Sequence, residues 1–293
     1  MRGLGGNVLR GLTHAARRSG PISRQWAARM TAPIRLLPDF IIIGAQRSGT
    51  TSLYRYLSGH PHVRPATRKE VHFFDVNFHR GTKWYQSNFP SIVHKAYVRR
   101  LYGRDIVTGE ASPYYIFHPH AARRAQRVVP RVKLIVLLRN PVDRAYSHYH
   151  LCVHRGIEPL PFEEAIDREQ ERLHGELGKM LEDEFYYSFR HQNYSYLSRG
   201  IYVDQLRAWL ESFPRDQFLI LRSEDLFQEP GITYERALRF LGLRSYPLAG
   251  YEQHNPYSSN EMPRPLRERL VDYFAPHNQH LSEFLGIDFG WDH

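Results

Sequence analysis

Apolar and polar positions along this chain switch repeatedly between two periods. Asp39-Phe-Ile-Ile-Ile-Gly44 is a short unbroken apolar run ending in glycine, the pattern of a strand buried on both faces. Thr50 to Leu57 follows with helical spacing, Leu53 and Leu57 on one face and Gly59-His60-Pro61 as the stop. Asp105 to Gly109 predicts a second strand, and Pro119 to Val129 a helix closed by Pro130. Val132-Lys-Leu-Ile-Val-Leu-Leu138 is the strongest strand signal, and Pro141 opens a helix at the position where a missing N–H costs least. Residues 156–199 carry many charges and no strand pattern; they predict helices with a tyrosine-rich tail. Gly200 to Ser212 is an amphipathic helix, Phe218 to Leu221 a buried strand, and Thr233 to Leu241 and Leu266 to Phe274 further helices. Strands alternating with helices imply an α/β fold, a P-loop-like parallel sheet flanked by helices on both faces.

The 293 residues suit one large domain, placed at 38–293, behind a flexible basic arm at 1–37. Net charge is +10, but residues 1–38 hold seven arginines and no acid, so the body carries only +3. The charge of the body is thus a weak argument for an acidic polymer as partner, and nucleic acid is not expected. The arm lacks the apolar core of a secretory signal, and no apolar run is long enough for a transmembrane segment. A soluble, cytoplasmic protein is expected; the arginine-rich arm also fits organelle targeting. Cys152 is the only cysteine, which excludes an intrachain disulfide and a thiolate metal cluster. The histidines are scattered, and no metal site is expected.

Gly44-Ala-Gln-Arg-Ser-Gly49-Thr50-Thr51 joins the first strand to the first helix. Its spacing resembles G-x-x-x-x-G-K-[ST], with Thr50 where the lysine should be. A glycine-flanked turn still aims backbone N–H groups and a helix N-terminus at one anion. Arg47 can supply the missing cation in a fork, and Thr50, Thr51 and Ser52 add hydroxyls; the same residues also suit an ordinary capped turn. A second anion site is offered by Arg139-Asn-Pro-Val-Asp-Arg-Ala-Tyr-Ser147, at the end of the Leu134 strand, where α/β sheets bind ligands. Arg139 and Ser147 could hold a second phosphate there, or be a salt-bridge partner and a solvated helix serine. A nucleoside-phosphate kinase or NTPase is one reading of such loops. It would want the lysine, and a magnesium ligand where Arg139 stands. A non-catalytic binder of acidic polymers, driven by the arm, is another.

Ile42-Ile-Gly-Ala-Gln-Arg-Ser-Gly-Thr-Thr-Ser-Leu53 resembles the 5′-phosphosulfate loop of sulfotransferases that use 3′-phosphoadenosine 5′-phosphosulfate (PAPS), and Leu138 to Ser147 resembles their 3′-phosphate motif. Lys69-Glu-Val-His-Phe-Phe-Asp75, Gly81-Thr-Lys-Trp-Tyr85, Gly109-Glu-Ala-Ser-Pro-Tyr114, Trp209 to Pro214, Phe240 to Leu243 and Phe289-Gly-Trp291 extend the likeness over about residues 38–291. They are similar to heparan sulfate glucosaminyl 3-O-sulfotransferases and to the sulfotransferase domain of N-deacetylase/N-sulfotransferases. The resemblance implies PAPS as donor, held by Arg47, Ser48, Gly49, Thr50, Thr51 and Ser52 at the phosphosulfate and by Arg139 and Ser147 at the 3′-phosphate. It implies Glu70 as catalytic base, with a pKa raised by partial burial, and His72 beside it. On the residues alone, Glu70 also fits a surface glutamate paired with Lys69 or Arg68, and His72 a structural histidine. The implied acceptor is a hydroxyl or amine of a glycan, glycolipid or other small molecule. The 3-O enzymes carry a lysine right after the glutamate matching Glu110, where this chain has Ala111. Their basic C-terminal loop is replaced by Tyr257-Ser-Ser-Asn-Glu-Met262. Both departures suggest a distant, bacterial-type member.

Overall fold

The computed structural model describes residues 31–252 and 262–291. Five strands, β1 (Phe40–Gly44), β2 (Val63–Pro65), β3 (Val107–Ala111), β4 (Lys133–Leu138) and β5 (Phe218–Arg222), form one parallel sheet in the order β2-β3-β1-β4-β5. Alternation along each strand divides the core. Ile41, Ile43, Leu134, Val136 and Leu138 face one layer; Phe40, Ile42, Ile135 and Leu137 face the other. Both faces are therefore covered, as the unbroken apolar runs require.

Helix α1 (Thr50–Gly59) follows β1. Two short helices, α2 (Thr82–Gln86) and α3 (Ile92–Tyr102), lie between β2 and β3, and α4 (Ala121–Val128) between β3 and β4. After β4 comes α5 (Pro141–His154), with Pro141 at its first position and the Asn140 side chain accepting from the N–H groups of Val142 and Asp143. The charged 156–199 stretch forms four short helices, α6 (Phe162–Asp167), α7 (Glu169–Leu173), α8 (Glu176–Glu182) and α9 (Phe189–Asn193), without a strand. Then come α10 (Tyr202–Leu210), α11 (Ser223–Gln228), α12 (Pro230–Leu241) and α13 (Arg264–Leu285).

Four features differ from the sequence expectation. Strand β2 is only three residues long and ends at Pro65, too short to leave a periodic signal. Helix α3 buries little, so its apolar residues do not mark a core face. Helix α13 continues past Phe274 through Pro276 to Leu285, packed against α5 and α10. The folded part begins no later than Thr31, not at Pro38. Ala32 is fully buried, Arg35 donates to the Phe89 carbonyl at 2.7 Å, and the Leu36 N–H reaches the Pro90 carbonyl at 2.9 Å. The rest of the arm and the 257–261 part of the substituted C-terminal loop lie outside the described residues.

Candidate active site

Strands β1 and β4 are neighbours in mid-sheet, so the loops leaving their C-terminal ends meet. The first loop turns into α1 at Gly49, whose φ of +82° favours glycine and whose added Cβ would come within 2.9 Å of Leu226. Arg47, also at positive φ, donates from Nε to Ser147 Oγ at 2.9 Å. Arg139, at the end of β4, donates to the Arg47 carbonyl at 3.1 Å and lies over the Phe227 ring. The two anion loops are thus one joined surface.

A third wall comes from the segment after β2. Glu70 and His72 both have positive φ, 60° and 53°, an unfavourable conformation for such residues. Contacts to the end of β3 hold it. The Glu70 N–H donates to the Ala111 carbonyl at 3.0 Å, and the His72 N–H to Ser112 Oγ at 3.1 Å. Beneath them Glu110 is fully buried and accepts from the hydroxyls of Tyr85, Tyr115 and Ser112; burial nevertheless raises its pKa to about 7. Glu110 therefore supports the wall rather than facing the cleft.

On that wall, Glu70 Oε1 accepts from Lys69 Nζ at 2.7 Å, and Glu70 Oε2 lies 3.4 Å from His72 Nε2. The other imidazole nitrogen is 2.6 Å from Oδ2 of the buried Asp75. Burial pulls the His72 pKa down, but the two carboxylates outweigh it and lift the value to about 10. Burial likewise acts to raise Glu70, yet its hydrogen bonds to His72 and Lys69 and their charges bring it down to about 2. The expected upward shift of Glu70 is therefore corrected: two cations offset its desolvation.

These walls enclose a cleft of about 600 Å³ lined by the cationic side chains of Arg47, Lys69, Arg139, Arg155 and Arg199, by the protonated His72, and by one carboxylate, Glu70. Arg199 is fully buried, and burial lowers its pKa to about 10. It binds Gln46 of the first loop and the carbonyls of His191 and Gln192, and it has no carboxylate partner among the described residues. A buried guanidinium without a counterion is costly, and an anion in the adjoining cleft would offset it. A sulfotransferase domain family model matches residues 37–262, well over half of the chain.

The chain belongs to the sulfotransferase domain family. It is 31% identical over 277 residues to the bifunctional heparan sulfate N-deacetylase/N-sulfotransferase 1 of Caenorhabditis elegans, covering 85% of this chain but only 30% of that protein. It is 29% identical to human heparan sulfate glucosamine 3-O-sulfotransferase 6, covering 88% of this chain and 74% of that one. A sulfotransferase structure from Alicyclobacillus acidocaldarius superposes with a TM-score of 0.66 at 31% identity, over 88% of this chain and all of that one. The expected kinship with a bacterial-type member agrees with this neighbour.

Within this family member, Arg47, Gly49, Thr50, Thr51, Glu70, His72, Arg139 and Ser147 all line the cleft. Ser48 and Ser52 do not. Both are buried, the Ser48 carbonyl accepting from Ser223 Oγ and the Ser52 side chain hydrogen-bonding Tyr56. Sequence reasoning did not single out Asp75, Gln46, Arg155, Arg199 or Phe227. Asp75 stood in the quoted segment, three residues after His72. Nothing local marks Arg199, because its role comes from tertiary packing.

Proposed function

We propose that this protein transfers the sulfuryl group of PAPS to a hydroxyl or amine of a carbohydrate or glycoconjugate. The observation that carries the reading is the six-to-one excess of cations, the protonated His72 included, over carboxylates in a cleft built on the phosphate-type loop. That excess fits a donor carrying several negative charges. Arg47 and the start of α1 would hold the 5′ end, and Arg139 and Ser147 the 3′-phosphate. Phe227, an aromatic beside Arg139 in the cleft lining, offers a face to the base. The side chains of Gln192, Asn193 and Tyr114 add uncharged hydrogen-bonding groups suited to sugar hydroxyls.

In the reaction, an acceptor oxygen or nitrogen bonds to sulfur as the bond between sulfur and the 5′-phosphate oxygen breaks. The acceptor proton passes to Glu70, and adenosine 3′,5′-bisphosphate departs. Glu70 is ionised at neutral pH and so ready to accept a proton. The imidazolium of His72, pinned by Asp75, fixes its orientation. An acceptor closing over Glu70 excludes water from it, and desolvation raises its proton affinity at the moment of use. Arg47 and loop N–H groups stabilise charge on the leaving phosphate.

Incubation with radiolabelled PAPS and a panel of glycans, glycolipids and phenols tests the reading. Label should appear on a carbohydrate-containing member; label confined to phenols would contradict the acceptor class. Transfer should also persist in EDTA, because cationic side chains neutralise the donor and no group of three or more His, Cys, Asp or Glu is placed for a metal among the described residues. Loss in EDTA with rescue by magnesium would favour the kinase reading.

Neither His72 nor Glu70 should contribute an inflection to the pH profile of kcat/KM near neutrality, because His72 stays protonated until about pH 10 and Glu70 ionised down to about pH 2; an inflection near pH 7 would report the buried Glu110 and should survive His72→Gln. The raised value of His72 also stabilises the fold. That contribution is complete below pH 6.5 and is lost as pH climbs towards 10. His72→Gln should therefore flatten the alkaline loss of stability seen by denaturation between those values; an unchanged slope would contradict the Glu70–His72–Asp75 coupling.

A further inference from the structure

Helix α3 has no part in the cleft, yet among the described helices it displays the most concentrated exposed apolar surface. Its ends are well made: Ser91 Oγ accepts from the His94 N–H at 3.1 Å, and Gly103 closes it at a φ of +67°. Of its residues only Val98 is buried. Val93, Tyr97 and Leu101, four residues apart, form an outward stripe at 64%, 60% and 54% exposure, with Ile92 and Tyr102 exposed at its ends. The helix holds Lys95, Arg99 and Arg100, with Arg104 just beyond, and no Asp or Glu. Arg99 reaches Asp105 only at 3.9 Å, and Arg100 and Arg104 enter no ion pair among the described residues.

The chemistry of this face selects its occupant. A second copy joined across a two-fold axis would set these arginines against their own images. A polyanionic chain would use the cations but leave the valine, leucine and tyrosine side chains in water. A single protruding amphipathic helix with apolar residues outward and arginines beside them matches a bilayer surface, where acyl chains meet anionic headgroups. The chain outside the described residues points the same way. It enters the domain at Thr31, and Arg35 then bridges Ser91 at the start of α3; the thirty residues before Thr31 hold six arginines and no acid. An arginine-rich, acid-free stretch of chain joined to the domain at Thr31 supplies the second signal that stable peripheral binding needs.

We infer that α3 docks the protein on anionic lipid surfaces, with Val93, Tyr97 and Leu101 in the acyl boundary and Arg99, Arg100 and Arg104 at the headgroups. The same flank carries the acceptor wall, since the Thr67 N–H, ahead of Glu70, donates to the Asn88 carbonyl just before α3 at 2.8 Å. The inference does not depend on the proposed reaction.

Co-sedimentation of the full chain with vesicles of phosphatidylcholine, with and without phosphatidylserine, tests it. Binding should require phosphatidylserine and weaken with salt. Val93→Ser/Tyr97→Ser/Leu101→Ser should reduce binding at least tenfold, and Arg99→Gln/Arg100→Gln by about fivefold per arginine. Because these side chains are exposed, both variants should keep wild-type melting temperature and binding of adenosine 3′,5′-bisphosphate. Absence of binding to anionic vesicles, or undiminished binding by the triple-serine variant, would overturn the inference. So would a wild-type dimer dissolved by the serine substitutions, or heparin binding that depends on the two arginines without vesicle binding.

Discussion

Glu70→Gln is expected to lower turnover by roughly a hundredfold or more while leaving donor affinity nearly unchanged, the usual scale for a lost general base. The substitution keeps side-chain size and an oxygen that can still accept from Lys69. It removes the carboxylate proposed to take the acceptor proton. Donor affinity should hold because the cations proposed to bind the donor, Arg47 and Arg139, sit on the β1 and β4 loops, where they bond to each other and to Ser147. The backbone anchors, Glu70 N–H to Ala111 and His72 N–H to Ser112, do not involve the changed side chain. Steady-state kinetics with labelled donor, alongside calorimetry with adenosine 3′,5′-bisphosphate, separates the two effects. Near wild-type turnover would remove Glu70 from the mechanism and leave it as a surface partner of Lys69. A parallel fall in donor affinity would assign it to donor binding instead.

What could be read in the sequence follows what each signal depends on. Strands β1 and β4 were legible because a strand buried on both faces must be apolar throughout, and the loops after them because two motifs in order, with the segments between them, resemble one family, although either loop alone also suits a capped turn. β3 ran two residues past its expected end at Gly109. A buried glutamate breaks the apolar pattern, and only the folded chain brings three hydroxyls to Glu110. Strand β2 and helix α3 were missed because neither buries enough to leave periodicity. At the site, the pairing of Arg47 with Ser147 fits the two motifs, whereas the depressed pKa of Glu70 could not be foreseen. Partial burial alone argued for a rise; the outcome depends on Lys69 and His72 both reaching one carboxylate, which positive φ at Glu70 and His72 makes possible. Arg199 was illegible for a related reason: its partners Gln46 and His191 are distant in sequence or offer only backbone.

The identity of the donor supports the whole account, and two arginines are proposed to divide its recognition. Arg139, at the end of β4 beside Ser147's helix, is proposed to meet a 3′-phosphate; Arg47 belongs to the loop that would hold the 5′ end. Arg139→Ala should weaken adenosine 3′,5′-bisphosphate by about 1.5–3 kcal/mol, the range for hydrogen bonds to charged groups. The loss for adenosine 5′-monophosphate, which lacks the 3′-phosphate, should be much smaller, limited to what the broken contact with the Arg47 carbonyl transmits. Arg47→Ala should weaken both nucleotides. Calorimetric titration of the wild type and these two variants with the two nucleotides is the most direct measurement. The account predicts a 3′-phosphate-dependent loss in Arg139→Ala and a loss for both ligands in Arg47→Ala. Equal losses for both nucleotides in Arg139→Ala, or no preference of the wild type for the 3′-phosphorylated nucleotide, would contradict it.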